Sequence, residues 1–121
     1  MKSTRTVIGP RLRLVLQPGI AFGPGKADLL ASIRATGSIA AAGREMGMSY
    51  KRAWTLIETL NSHFREPLVI AVKGGPQGGG AVLTELGVEI LERYQRMDKK
   101  VARMLAKDIT ALRSIVISNR K

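Results

Sequence analysis

The residues best placed for chemistry lie between Ser38 and Ser62, SIAAAGREMGMSYKRAWTLIETLNS. Lys51 and Arg52 are cations, and Ser49, Tyr50 and Thr55 carry hydroxyls, all within one short run. At about 100° per residue, Lys51, Arg52, Thr55, Thr59 and Ser62 fall on one side of a helix. Ala53, Leu56, Ile57, Leu60 and Phe64 recur at i, i+3, i+4, i+7 and i+11 on the other, with Trp54 beside them as a further expected core residue. A helix with an apolar back and a cationic, hydroxylic front suits the major groove of a duplex, where such groups meet phosphates and base edges. Any amphipathic helix also has a polar face, so these residues alone leave a plain solvated surface open.

Catalytic chemistry finds little purchase. The chain has no cysteine and a single histidine, His63, which leaves out thiolate nucleophiles, disulfides and histidine-rich metal sites. Glu85, Glu89 and Glu92 recur at surface helical spacing and make no convincing acid–base pair. Gly25-Lys26 hints at a phosphate-binding loop, yet Ile20 stands where that loop needs glycine and Ala27 where it needs Ser or Thr. We expect no enzyme, no cofactor and no metal.

The elements that must position the candidate helix can be read on either side of it. Ile39, Ala42 and Met46 form the stripe of a preceding short helix, Gly47-Met48 breaks it, and Ser49 is suited to cap the next. Ala41, Ala42 and Gly43 offer little bulk, as a steep helix crossing requires. Lys26–Thr36 reads as an earlier helix with Leu29, Leu30 and Ile33 buried, ended by Gly37 in the left-handed conformation. Arg11–Gln17 alternates, with Leu12, Leu14 and Leu16 on one side, and is expected as a strand; Pro18-Gly19 and Gly23-Pro24-Gly25 punctuate the following loop.

Beyond the candidate helix, Leu68–Val72 and Ala81–Leu83 are short β-rich runs joined by Lys73–Gly80, KGGPQGGG. A hairpin with so bare a tip can bring backbone close to a sugar–phosphate surface, with Lys73, Gly74, Gly75, Gln77 and Gly78 as the contacting residues; a simple hairpin tip is equally compatible. Directly after a helix-turn-helix, the hairpin makes a winged helix the leading expectation, and the Leu12–Leu16 strand is expected to complete its small sheet.

Thr84 is suited to cap a last helix, and Val88–Ser118 contains neither Gly nor Pro. Ile90, Tyr94, Met97, Val101 and Met104, then Leu105, Ile109, Leu112 and Val116, make an apolar stripe longer than a small domain can cover. A symmetric dimer seam is the expected outlet. A break near Asp108, with the last part folding back, is the alternative.

Composition agrees with this outline. A chain of 121 residues that is 45% hydrophobic is one globular domain, and 20 Lys and Arg against 9 Asp and Glu, a formal +11, point to a polyanionic partner. No apolar run approaches the ~20 residues that span a bilayer, and the basic N-terminus has too short an apolar run for a signal peptide, so a cytoplasmic protein without a membrane partner is expected. Residues 1–10, with Lys2 and Arg5 and no acids, are expected as a frayed basic arm ahead of a single domain over 11–121.

The pattern Gly37-Ser38-Ile39, then Gly47-Met48-Ser49-Tyr50-Lys51-Arg52-Ala53-Trp54, then Asn61, resembles the N-terminal DNA-binding domain of ModE-type molybdate-responsive regulators, a relative of the LysR-type winged helix. Gly74–Thr84 looks like the same family's wing and helix start, so the resemblance runs from about Lys26 to Met104. It implies a mainly α fold with a small β hairpin, a winged helix-turn-helix with a long C-terminal dimerisation helix (about 84–118). It also implies binding to double-stranded DNA and regulation of molybdenum-related genes, with Ser38 and Tyr50 joining the DNA-contacting set; the two-fold symmetry of a homodimer then calls for an inverted-repeat operator. ModE regulators continue into a molybdate-binding region, whereas this chain ends at Lys121. The expectation is therefore DNA binding without a molybdate-sensing domain of its own, with a separate sensor protein left open as a partner. The rival expectation is a nucleoid-type basic protein that coats DNA without reading its sequence.

Overall fold

The computed structural model describes residues 8–73 and 80–117. The elements run β1 (Leu14–Gln17), β2 (Ile20–Phe22), α1 (Pro24–Thr36), α2 (Ile39–Glu45), α3 (Tyr50–His63), β3 (Val69–Val72), β4 (Gly80–Leu83) and α4 (Glu85–Arg113). The protein is mostly helical, with two small antiparallel sheets and a long last helix.

Local chemistry sets the boundaries. Gly37 ends α1 at φ 68°, and its N–H donates to the Ile33 carbonyl at 2.8 Å. At the end of α2 the Met48 N–H reaches the Gly43 carbonyl and the Gly47 N–H reaches that of Arg44, with Gly47 at φ 69°. This paired closure satisfies carbonyls that the helix end would otherwise orphan. Ser49 and Thr84 cap α3 and α4 through their hydroxyl oxygens, which accept from the N–H groups of Arg52 and Gly87.

The core gathers one face from each helix. Leu29, Leu30 and Ile33 of α1, Ile39 and Ala42 of α2, Ala53, Ile57 and Leu60 of α3, and Leu91 of α4 are buried together with Leu68, Val69 and Ala81. Trp54, Leu56 and Phe64 are half-buried and pack against this cluster, so Trp54 lies at the margin of the core. Gly43 permits the close α2–α3 approach: a Cβ there would sit 3.3 Å from the Met48 carbonyl oxygen and 3.5 Å from the Ala53 methyl.

Four expectations are corrected. The first strand begins at Leu14, and it pairs with β2, where the glycine and proline punctuation predicts only a loop. It therefore does not complete the β3–β4 sheet. That place is taken by Gly37 and Ser38: the Ala81 N–H donates to the Gly37 carbonyl at 3.0 Å, and Ser38 bridges Gly80. The expected inward face of β1 also fails at Leu16, which is 50% exposed because a two-stranded ribbon has no layer over its tip. Tyr94, expected in a dimer seam, is only 4% exposed; its ring meets Phe22 edge-to-face at 5.2 Å and its hydroxyl donates to the Leu12 carbonyl at 2.6 Å. It is the anchor by which α4 holds the N-terminal segment. Lastly, Ser38 is 5% exposed, and its hydroxyl oxygen accepts the Ala41 N–H to cap α2. Burial removes it from any surface that a duplex could touch.

The last helix does not break at Asp108. It continues to Arg113, a length of ~43 Å at 1.5 Å per residue. Its first half packs on α1 and β4, while between residues 99 and 117 only Val101 and Ile109 are even partly covered. The second half is a stalk. No helix among the described residues is long and apolar enough to cross a membrane.

Candidate nucleic-acid interface

Burial of Ala53, Ile57 and Leu60 fixes the rotation of α3 and thereby turns Lys51, Arg52 and Thr55 outward, while Tyr50, nearer the packed side, stands free as the helix's first residue. All four are exposed, with Tyr50 at 50%. Tyr50, Lys51 and Arg52 occupy the first turn, where helix N–H groups lack intrahelical acceptors and the backbone carries partial positive charge, and Thr55 stands one turn further on. No acid lies in that first turn, so Lys51 and Arg52 add to the helix field without local neutralisation. Ser49 spends its oxygen on the Arg52 N–H at 3.0 Å. Its side chain therefore starts the helix, and what it can still offer a partner is its hydroxyl proton. Thr55 donates to the Lys51 carbonyl at 3.0 Å and keeps its oxygen lone pairs outward.

Glu58 is a residue that sequence reasoning passed over. It is exposed, and at seven positions beyond Lys51 it shares the same helix face. An outward carboxylate can accept from a cytosine amino group, and it also repels phosphate. Its offset from Lys51 and Thr55 was the available signal.

Asn61 is the second residue whose part was not foreseen. Its side-chain amide binds the backbone of Leu68 and Val69 through three hydrogen bonds of 2.8–3.2 Å. Thr84 adds a tie from the other strand, donating to the Pro67 carbonyl at 2.7 Å while the Thr84 N–H reaches that of Leu68 at 2.9 Å. The hairpin is thereby held at a fixed place beside the C-terminal end of α3. Lys73 is exposed at the end of β3. Gly74, Gly75, Gln77 and Gly78, the remaining expected loop contacts, lie outside the described residues.

The expected seam residues other than the buried Tyr94 run along α4 from its packed half into the stalk. Ile90 is half-buried against the domain core, Met97 is 38% exposed, Leu105 36%, Leu112 62% and Met104 77%, with Val101 and Ile109 partly covered. Lys26, the residue that prompted the phosphate-loop comparison, donates to the Ala21 carbonyl at 2.6 Å and so ties α1 to β2. Among the described residues no cluster of His, Cys, Asp and Glu could hold a metal ion.

No family model matches the chain. It is 43% identical over 88 residues, 73% of its length, to the molybdenum-pterin-binding protein MopB of Rhodobacter capsulatus, of which the alignment takes in 33%. Against the molybdenum transport protein ModE of Azotobacter vinelandii the figures are 39% over 95 residues, 78% of this chain and 35% of that protein. The DNA-binding transcriptional dual regulator ModE of Escherichia coli K12 is 39% identical over 83 residues, 69% of this chain and 32% of its own. The chain thus spans about a third of the length of the curated relatives it matches, and over that third it is similar to proteins named for molybdenum-pterin binding, molybdenum transport and DNA-binding transcriptional regulation.

Proposed function

We propose that the chain is the winged-helix, DNA-binding part of a ModE-type transcriptional regulator, working as a homodimer on an inverted-repeat operator of molybdenum-related genes. The observation that carries this reading is the acid-free start of α3, where Tyr50, Lys51, Arg52 and Thr55 are all exposed beside a fully buried Ala53–Ile57–Leu60 stripe. In this reading α2 and α3 are the helix-turn-helix and β3–β4 is the wing. Arg52 reads guanine through its planar two-pronged fork, and Lys51 meets phosphate as a point charge. The similarity to a protein named as a DNA-binding transcriptional regulator supports it independently.

Two recognition helices related by a two-fold axis need an inverted repeat, with half-sites about one helical turn, ~34–36 Å, apart or a multiple of it. The exposed apolar side of the stalk supplies the surface that joins them. Selection of bound fragments from the source genome, followed by competition gel shifts, tests the whole reading. A preferred site should survive excess random duplex by ~10³ or more in affinity. Equal competition by every duplex would leave a DNA-coating protein instead.

A further inference from the structure

One side of α4 changes the sign of its charge halfway along. In the half that packs on the domain the outward residues include Glu85, Glu89 and Glu92; Glu89 pairs with Arg93 at 2.9 Å and Glu92 with Arg34 at 3.2 Å. Continuing along the same face, Arg96, Lys99, Lys100, Arg103 and Lys107 follow at i, i+3, i+4, i+7 and i+11. All five are exposed, and among the described residues the only ion pairs are the two just named. Like charges at these spacings destabilise a helix by a few tenths of a kcal/mol per pair. A face that needed only to be soluble would interleave the signs.

We propose that this stripe is a second, sequence-independent phosphate-binding element, which engages a duplex segment other than the one read by α3. The proposal rests on the DNA-binding reading above, and three observations direct it. The stripe is straight and ~16 Å long, since eleven residues at 1.5 Å each separate its ends, so it lies along a row of phosphates. It contains no aromatic or aliphatic side chain, whereas a helix that captures an acidic peptide presents apolar anchors within its charged surface. And it lies some 140° around the helix from the Met97–Val101–Leu105 stripe, at 100° per residue. A helix lying on a membrane would bury that apolar side and turn these cations away from the headgroups.

The fold separates the two cationic elements. α3 packs on α2, α2 on α1, and α1 on α4, whereas the stripe runs along the part of α4 whose side chains are largely free of the domain. One short duplex on α3 leaves the stalk stripe unoccupied, and a second segment, from a distant part of the same molecule or from another, can lie there. The consequence is bridging.

The test uses the whole chain with Arg96, Lys99, Lys100, Arg103 and Lys107 all replaced by Gln, alongside a milder Lys100→Gln/Lys107→Gln variant. Circular dichroism and ultracentrifugation establish that helix content and oligomeric state are kept. An immobilised duplex with the preferred site is loaded with protein, and capture of a second, labelled duplex lacking that site is measured. The wild type should capture it, the fivefold variant should lose most of that capture, and the milder variant should fall between. Preference for the first site in competition gel shifts should be unchanged, whereas Lys51→Ala/Arg52→Ala should lose that preference and still show the stalk's contribution. For the second duplex the salt dependence should fall by up to ~4.5 in log–log slope, from about 0.9 per phosphate contact. Equal capture by wild type and fivefold variant overturns the proposal while leaving the recognition reading intact. So does a loss of binding to poly-glutamate, or to phosphatidylserine vesicles, with duplex capture unchanged.

Discussion

The side chain of Asn61 closes a ring on the backbone of Val69: its Nδ2 donates to the Val69 carbonyl at 3.0 Å, and its Oδ1 accepts the Val69 N–H at 3.2 Å. The same oxygen takes the Leu68 N–H at 2.8 Å. A carboxamide offers a donor and an acceptor side by side, which is the pattern a strand edge presents, and no other side chain of this size supplies both.

Asn61→Ala should therefore cost ~2–3 kcal/mol, because it strands two N–H groups and a carbonyl in partly buried surroundings. Asn61→Asp should fall between, since it keeps the acceptor and sets an oxygen against the Val69 carbonyl. Urea unfolding measures both. If Ala and Asp at this position were as stable as Asn, the hairpin would not depend on this ring for its place beside α3.

Gly87 sits where α4 crosses the backbone of Leu68. A Cβ there would lie 2.2 Å from the Leu68 carbonyl oxygen and 3.1 Å from its carbon, both backbone atoms that cannot swing aside. Within a helix Gly→Ala ordinarily stabilises by up to ~1 kcal/mol. Here the sign should reverse, with Gly87→Ala destabilising by ~3 kcal/mol. Gly25→Ala in the first turn of α1, with nothing within 4 Å of the added methyl, is the control and should be neutral or slightly stabilising. Thermal unfolding of the two variants side by side reads the contrast.

Much of this architecture is legible in the residues themselves. Gly37, Gly47, Ser49 and Thr84 mark helix ends through local chemistry alone, and the β3–β4 hairpin follows from two β-branched runs flanking glycine. β2 escapes because it is three residues long between Gly19 and Gly23, too short to show an alternation. Tyr94 was misplaced for a different reason. Periodicity reveals that a helix face is apolar, but whether another copy or the chain's own N-terminal segment covers it depends on a contact with Leu12, 82 positions away. Ser38 likewise has a small polar side chain whether it faces solvent or caps α2 from within.

Arg52 and Lys51 should separate specificity from affinity. Arg52→Ala is expected to lose ~1–3 kcal/mol on the preferred site and little on other duplexes, since a bidentate base contact is removed. Lys51→Ala should weaken every duplex alike and reduce the salt slope by about 1. Both residues are exposed and make no side-chain contact that a fold depends on, so their thermal stability should stay near that of the wild type. Uniform loss of all duplexes by Arg52→Ala would reassign that residue to phosphate.

Asp28 should give the protein an acid-side pH dependence. Its carboxyl is held above the usual 3.8, chiefly because burial disfavours the charged form; Arg11 opposes this and Asp98 adds to it. The folded chain then holds the proton more tightly than the unfolded chain does. The resulting stabilisation is complete below pH 3.8 and is lost as pH rises through the folded value. Asp28→Asn should thus raise the melting temperature slightly at pH 7, and the advantage should vanish below the unfolded value. An equal gain at pH 7 and pH 3 would place its origin in packing and not in charge.

The stalk should be the dimer joint. Its apolar side, with Met97, Met104, Leu105 and Leu112 exposed and Val101 and Ile109 partly covered, continues beyond the part of α4 that Tyr94 and Leu91 secure to the domain, so charging it leaves the domain core untouched. Val101→Glu with Leu105→Lys puts a Glu four residues before a Lys, a pair that favours the helix while removing its apolar middle. The variant should sediment as a monomer with unchanged helix content. Affinity for the full inverted repeat should fall steeply, because two linked half-sites become two separate events. A single half-site should bind variant and wild type about equally. A wild-type chain that is monomeric at micromolar concentration and binds the half-site as tightly as the repeat would show that the apolar side of the stalk meets a different partner.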